Sequence, residues 1–129
     1  MNSGVVIREA HFPGRAPIDS YGNGGFRFAG MSHRGSLLCL PSGIHGWRAP
    51  SPAELDEDSL ADVFAEADRI DILLVGTGSS LVPLSLRVRE RCRAERVVAE
   101  PMSTGAAVRT FNVLLAEERA VAAALIAVD

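Results

Sequence analysis

The sequence predicts an α/β fold: one domain, spanning 1–129, whose second half builds a largely parallel sheet with helices packed on it. The first half adds antiparallel strands to that sheet or forms a small β-layer beside it. Three observations predict this. Of the 129 residues, 47% are hydrophobic and 22% charged, an ordinary globular composition on a chain of one-domain length. The apolar pattern changes near residue 50, from short runs broken by Gly and Pro to helical stripes alternating with β-branched runs. No repeat, low-complexity tract or long linker interrupts the chain.

In order along the chain, Val5–Ile7 is a short β-branched strand. Ile18–Tyr21 and Phe26–Phe28 flank Gly22-Asn23-Gly24-Gly25, residues that tolerate positive φ, which predicts a hairpin. Ser36–Leu40 is a continuous apolar run between Gly35 and Pro41, the pattern of a strand covered on both faces. The stretch Pro41–Pro52, with two glycines and the sole tryptophan, reads as a loop. Leu60, Val63, Phe64 and Ala67 form a helical stripe behind the acidic run Glu54–Asp58, with Ser59 as its cap. Ile70–Val75 has the length and branching of a buried parallel strand. Leu84, Val88 and Cys92 form the next stripe, with Pro83 suited to its first turn. Val97–Ala99 is a short strand, and Ser103 or Thr104 caps a helix carrying Val108, Phe111 and Leu115 on one face. Val121–Val128 closes as an apolar strand whose alanines would also suit a helix.

Composition strikes out several functions. All 13 basic residues are Arg, so Schiff-base lysine chemistry and a lysine-bearing P-loop are excluded. A net charge of −3 argues against a dedicated nucleic-acid or anionic-membrane binder. Cys39 and Cys92 fit no CxxC pattern, and Cys39 reads as a core thiol; His45 lies near it in sequence, without a third group to complete a nucleophile. His11, His33 and His45 are dispersed, which speaks against a metal site. Arg8 and Glu9 interrupt any secretory h-region, and the uncharged run 72–86 is too short to span a bilayer. These features predict a soluble, cytoplasmic protein without membrane insertion, nucleic acid or cofactor.

Two strand-ending turns carry the candidate site. One is Gly76-Thr77-Gly78-Ser79-Ser80; the other is Pro101-Met102-Ser103-Thr104-Gly105-Ala106-Ala107, with Arg109 in the second turn of the helix that follows Ser103-Thr104. Small residues leave N–H groups at a helix start unshielded, and an arginine nearby would neutralise an anion. If the two strands are neighbours, both turns line one crevice at their carboxyl ends. Gly76-Thr77-Gly78 also partly matches a dinucleotide fingerprint, with Glu100 following Gly78 by 22 residues, but Leu81 stands where the third glycine belongs. The plainer alternative is a tight turn whose Ser79 or Ser80 helps cap the next helix. No acid, base or nucleophile constellation emerges, so no catalytic residue is assigned.

The run MSTGAAVRTFNVLLAEERAVAAALI, Met102 to Ile126, resembles the C-terminal signature of the Mth-type domain family. Ile72–Gly78 and Gly43-Ile44-His45-Gly46-Trp47 support the resemblance, which covers nearly the whole chain. It implies a three-layer α/β fold with a mixed sheet, the last strand antiparallel to most others. It assigns no catalytic residues. Its members include the mitochondrial complex I assembly factor 3 and the adipogenesis-associated Mth-domain protein; the mitochondrial members imply an assembly role, and the bacterial members are mostly uncharacterised.

Two functions follow. One is a non-enzymatic accessory or assembly protein with a protein partner and a capacity for homo-oligomers, using Trp47 with Phe26 or Phe28 as exposed anchors. The other is a small-molecule or anion-binding domain, enzyme or not, whose crevice is Gly76, Thr77, Gly78, Ser79, Ser80, Met102, Ser103, Thr104, Gly105 and Arg109.

Overall fold

A computed structural model describes residues 11–129; the expected strand Val5–Ile7 lies outside them. Among the described residues nine strands occur in chain order: β1 His11–Phe12, β2 Ile18–Gly22, β3 Gly25–Phe28, β4 Met31–Arg34, β5 Ser36–Leu40, β6 Gly43–Trp47, β7 Ile72–Gly76, β8 Val98–Met102 and β9 Val121–Leu125. The α-helices are α1 Ala61–Phe64, α2 Leu86–Ala94 and α3 Thr104–Ala116.

Six strands form one mixed sheet in the order β1-β6-β5-β9-β7-β8, and β2-β3-β4 form a separate antiparallel sheet. The parallel part is β8-β7-β9. Its two crossovers run in opposite directions across the sheet, β7 to β8 through α2 and β8 to β9 through α3. Right-handed connections therefore put these helices on opposite faces, and the core divides accordingly. Leu38, Leu40, Leu73, Val75, Ala122 and Ala124 pack with Val88 and Cys92 of α2 on one face. Leu37, Cys39, Leu74, Val121, Ala123 and Leu125 pack with Val108 and Phe111 of α3 on the other, beside Phe26 and Phe28 of the small sheet. Successive residues alternate faces with the two-residue period of a strand. The result is the three-layer α/β architecture with its extra β-layer.

Several elements differ from expectation. β9 runs parallel to β7 and antiparallel to β5, so it is not antiparallel to most strands of its sheet. Its alanines settle as strand because it lies between two neighbours, fully buried from Val121 to Leu125. The expected loop after Pro41 contains β6, paired with β5 from Gly43 to Trp47. β4 went unread because Met31-Ser32-His33-Arg34 lacks an apolar pattern. Its turn, Ala29-Gly30, has φ of 48° and 74°, like the Asn23-Gly24 turn of the predicted hairpin at 52° and 79°. Both match the twist-compatible turns that close two-residue hairpins.

α1 and α2 are shorter than their stripes suggest. α1 spans four residues, and Ser59 does not cap it: its hydroxyl donates to the Asp56 carbonyl in a local turn. α2 begins after Pro83 and Leu84, capped by Ser85, whose side chain accepts from Val88 N–H. Neither Ser79 nor Ser80 is a cap. Ser103, not Thr104, caps α3 by accepting from Ala106 N–H. Pro101 and Met102, read as a turn, belong to β8. Val98 N–H donates to Asp71 and Met102 carbonyl accepts from Thr77, so residues 98, 100 and 102 bond inward and Ala99 and Pro101 face the open edge. Proline's missing N–H costs nothing there and blunts the edge.

Candidate functional site

The carboxyl ends of β7, β8 and β9 open into one cleft of about 670 Å³. The chain leaves β7 toward one face of the sheet and β8 toward the other, and such a switch point leaves a crevice. Thr77, Gly78, Ser79, Ser80, Ser103, Gly105 and Arg109 all line it. The predicted residues Gly76, Met102 and Thr104 stand behind its wall.

These three residues, with Thr77, build the wall. Thr104 is fully buried; its Oγ1 accepts from Gly78 N–H at 3.0 Å and donates to the Ile126 carbonyl at 2.6 Å. One hydroxyl thus joins the ends of β7, α3 and β9. A side chain at Gly76 would lie 3.0 Å from Thr104 Cα, which is why the helix can approach the strand only over glycine. The Thr77 hydroxyl shares its proton between the Ser80 carbonyl at 2.7 Å and the Met102 carbonyl at 3.1 Å, and accepts from Val82 N–H at 2.9 Å. It shapes the 77–82 loop and has no proton left for a ligand. Gly78 holds a φ of 100°, a conformation L-residues rarely adopt.

Only one helix start reaches the cleft. A loop from Thr77 to Ser85 separates the glycine turn from α2, so the expected pair of helix N-termini reduces to that of α3. There Thr104 N–H donates to the Gly78 carbonyl and Ala107 N–H to the Ser103 carbonyl. The Gly105 N–H has no partner among the described residues. Tyr21, which the sequence did not flag, lines the same cleft from the small sheet, 41% exposed, with its hydroxyl against Gly105. Its signal was weak: a lone aromatic before a turn. Arg109 is exposed on the same rim. Phe111 and Met102 pack into the core beneath α3 and leave the cleft open.

Other expectations fail on geometry. Phe26 and Phe28 are buried, and Trp47 packs against the core with its indole N–H donating to Ser59 carbonyl, so none is an exposed anchor. Glu100 lies in the middle of β8, opposite Leu74, and cannot reach a nucleotide at the strand ends. Cys39 is buried on the face opposite His45, whose cross-strand neighbour is Leu38, and burial pushes its thiol far above the ordinary range. His45 instead faces Ser42: Nε2 stands 3.2 Å from Oγ, which donates to Glu66 at 2.5 Å. The serine proton is directed to the carboxylate and not to the imidazole, so this is no nucleophile–base pair. No group of three or more His, Cys, Asp or Glu among the described residues would hold a metal ion. No helix among the described residues is long and apolar enough to cross a membrane.

Comparison with known proteins gives consistent matches. A family model described as a protein of unknown function (DUF498/DUF598) matches residues 18–126. An uncharacterized protein of Rhodobacter capsulatus is 43% identical over 95% of this chain and 93% of its own length. NADH dehydrogenase [ubiquinone] 1 alpha subcomplex assembly factor 3 of Mus musculus is 32% identical over 95% of this chain. This chain spans only 66% of the length of that assembly factor. Among solved structures, an outer membrane protein from Bartonella henselae matches with a TM-score of 0.88 and 59% identity, over 92% of this chain and 100% of that one. A Mth938-like domain from Bordetella pertussis matches with a TM-score of 0.75 and 25% identity, over 86% of this chain and 85% of that one.

Proposed function

This chain belongs to the DUF498/DUF598 family, the Mth938-like domain proteins, and from that premise we propose that it is a non-enzymatic accessory protein of the assembly-factor type. The observation that carries the reading is its 32% identity, over 95% of its length, to an assembly factor for NADH dehydrogenase. The local chemistry agrees with a protein that binds. Thr77 and Thr104 spend their hydroxyls on the cleft wall, and both cysteines are buried. In this reading the chain works as one cytoplasmic domain through protein contact.

The test is complementation. Deleting the 43%-identical relative from Rhodobacter capsulatus should lower the NADH dehydrogenase assembled in its membranes, and this chain should restore it. Normal assembly in the deletion strain, or no rescue by an expressed and folded chain, overturns the reading.

The open cleft favours a second reading, a site for a small anionic molecule. The Gly105 N–H, the Ser103, Ser79 and Ser80 hydroxyls and the Tyr21 hydroxyl would bind it, with Arg109 as the counter-charge. Gly76, Gly78, Thr77, Met102 and Thr104 would hold that geometry from behind. Phosphates, nucleotides or small carboxylates at millimolar concentration should raise the melting temperature, and Arg109→Ala should remove the shift. No shift with any of them ends this reading.

A further inference from the structure

The chain is acidic overall, yet one face of α2 carries unpaired positive charge. Arg87 and Arg91 face Glu57, and Arg91 also bonds Glu95 at 3.0 Å. Arg89 and Arg93 stand one turn apart on the other side of α2, and Arg96 follows just past its end; all three are exposed and make no ion pair among the described residues. They rim a groove of about 390 Å³ between α2 and β8, floored by Cys92 and ending at Ala99. Like charges one turn apart repel, and Glu90, one turn before Arg93, forms no ion pair with any of the three among the described residues.

The edge beside them is also unspent. Ala99 turns its N–H and carbonyl outward, and the next outward residue, Pro101, has no N–H. An extended chain could therefore make one pair of backbone bonds at Ala99 and could not extend into a continuous ladder.

We propose that the α2–β8 groove is a docking site for an acidic, extended segment of a partner protein, with its backbone paired at Ala99 and its carboxylates on Arg89, Arg93 and Arg96. The proposal rests on the accessory-protein reading and names its contact surface. A concave groove with a hydrogen-bonding edge suits a peptide better than a flat lipid surface.

The experiment follows backbone amide resonances of the full chain during titration. The probes are an end-blocked peptide of alternating Asp and Thr, its Asn-for-Asp counterpart, inorganic phosphate, and vesicles containing phosphatidylglycerol. The acidic peptide should move Ala99 and the C-terminal half of α2, saturably and more weakly as salt rises. Arg89→Glu with Arg93→Glu should abolish the effect. Arg96→Gly should weaken binding roughly two- to fivefold, the scale of one exposed ion pair. Arg96 has a φ of 61°, which glycine adopts freely, so that variant keeps the fold and separates lost binding from unfolding. The proposal falls if the Asn peptide acts equally, if phosphate alone reproduces the shifts (an adventitious ion only), if vesicles bind and the peptide does not, or if the shifts map elsewhere. Rescue in Rhodobacter capsulatus without peptide binding sinks the groove and spares the accessory reading; peptide binding without rescue does the reverse.

Discussion

Asn112 holds the backbone of Ile18 at both of its polar atoms: Oδ1 accepts from the N–H at 2.9 Å and Nδ2 donates to the carbonyl at 2.8 Å. The side-chain amide takes the place of a neighbouring strand. It fastens β2, and with it the three-stranded sheet, to the middle of α3. Tyr21 lies three residues further along β2, so the same pair of bonds sets the near wall of the cleft.

Asn112→Leu should therefore cost about 1–3 kcal/mol, because two backbone groups of buried Ile18 lose their partner. Asn112→Asp keeps the acceptor and loses the donor, and should fall between. Urea denaturation of the three proteins checks the order. A Leu variant as stable as the parent would show that the small sheet is held by its apolar contacts alone.

Much of this fold could be read from apolar periodicity. The parallel strands β7, from Leu73 on, and β9, with the stripe residues Leu60, Val63, Phe64, Val88 and Cys92, are buried as their spacing implies, while β8 lies at the open edge with Val98 exposed. What was illegible had polar or glycine-rich sequence. β4 and β6 lack alternation and exist because a paired strand and two tight turns hold them. The cleft residues were placed by the rule that loops gather at strand ends, but Tyr21 comes from a different sheet and no local pattern points to it. The use of Thr77 and Thr104 as wall braces was equally hidden, since a hydroxyl in a glycine-rich turn reads the same whether it faces a ligand or a carbonyl.

The brace at Thr104 gives a sharper test. Thr104→Val keeps the shape and removes the hydroxyl, leaving Gly78 N–H and the Ile126 carbonyl unsatisfied in a buried place. The loss should be about 1–3 kcal/mol for each group left unpaired. Thr104→Ser should recover most of it. Gly76→Ala should also destabilise, since its methyl would press on Thr104 at 3.0 Å and on Leu125 at 3.1 Å. Thermal melts of the three variants decide; a neutral Thr104→Val would remove the brace from the account.

At Gly78 the cause is different. A Cβ there would meet little, with Pro52 Cγ 3.8 Å away, but the φ of 100° strains any L-residue. Gly78→Ala and Gly78→Val should both destabilise the fold by about 1–3 kcal/mol. Their similarity is the diagnostic, because a steric origin would make valine much worse. Chemical denaturation separates the two cases, and a ligand test on the cleft is better made at exposed Arg109.

The cysteines set a pH limit on stability. Burial raises the thiols of Cys39 and Cys92 above their ordinary value of 9.0. Both thiols are protonated in folded and unfolded chains at neutral pH, so neither makes stability depend on pH there. Above the unfolded value, the unfolded chain releases protons that the folded one retains, and stability falls as pH rises. The window opens at about pH 9 and deepens with each further unit. Cys39→Ala with Cys92→Ala should flatten the alkaline limb of a stability–pH curve while lowering the plateau through lost packing. Thiol-specific reagents at neutral pH should label Cys39 of the folded protein only at the rate of its unfolding. Rapid labelling of Cys39 without unfolding would mean that the face under α3 opens on its own, against the burial on which this pH dependence rests.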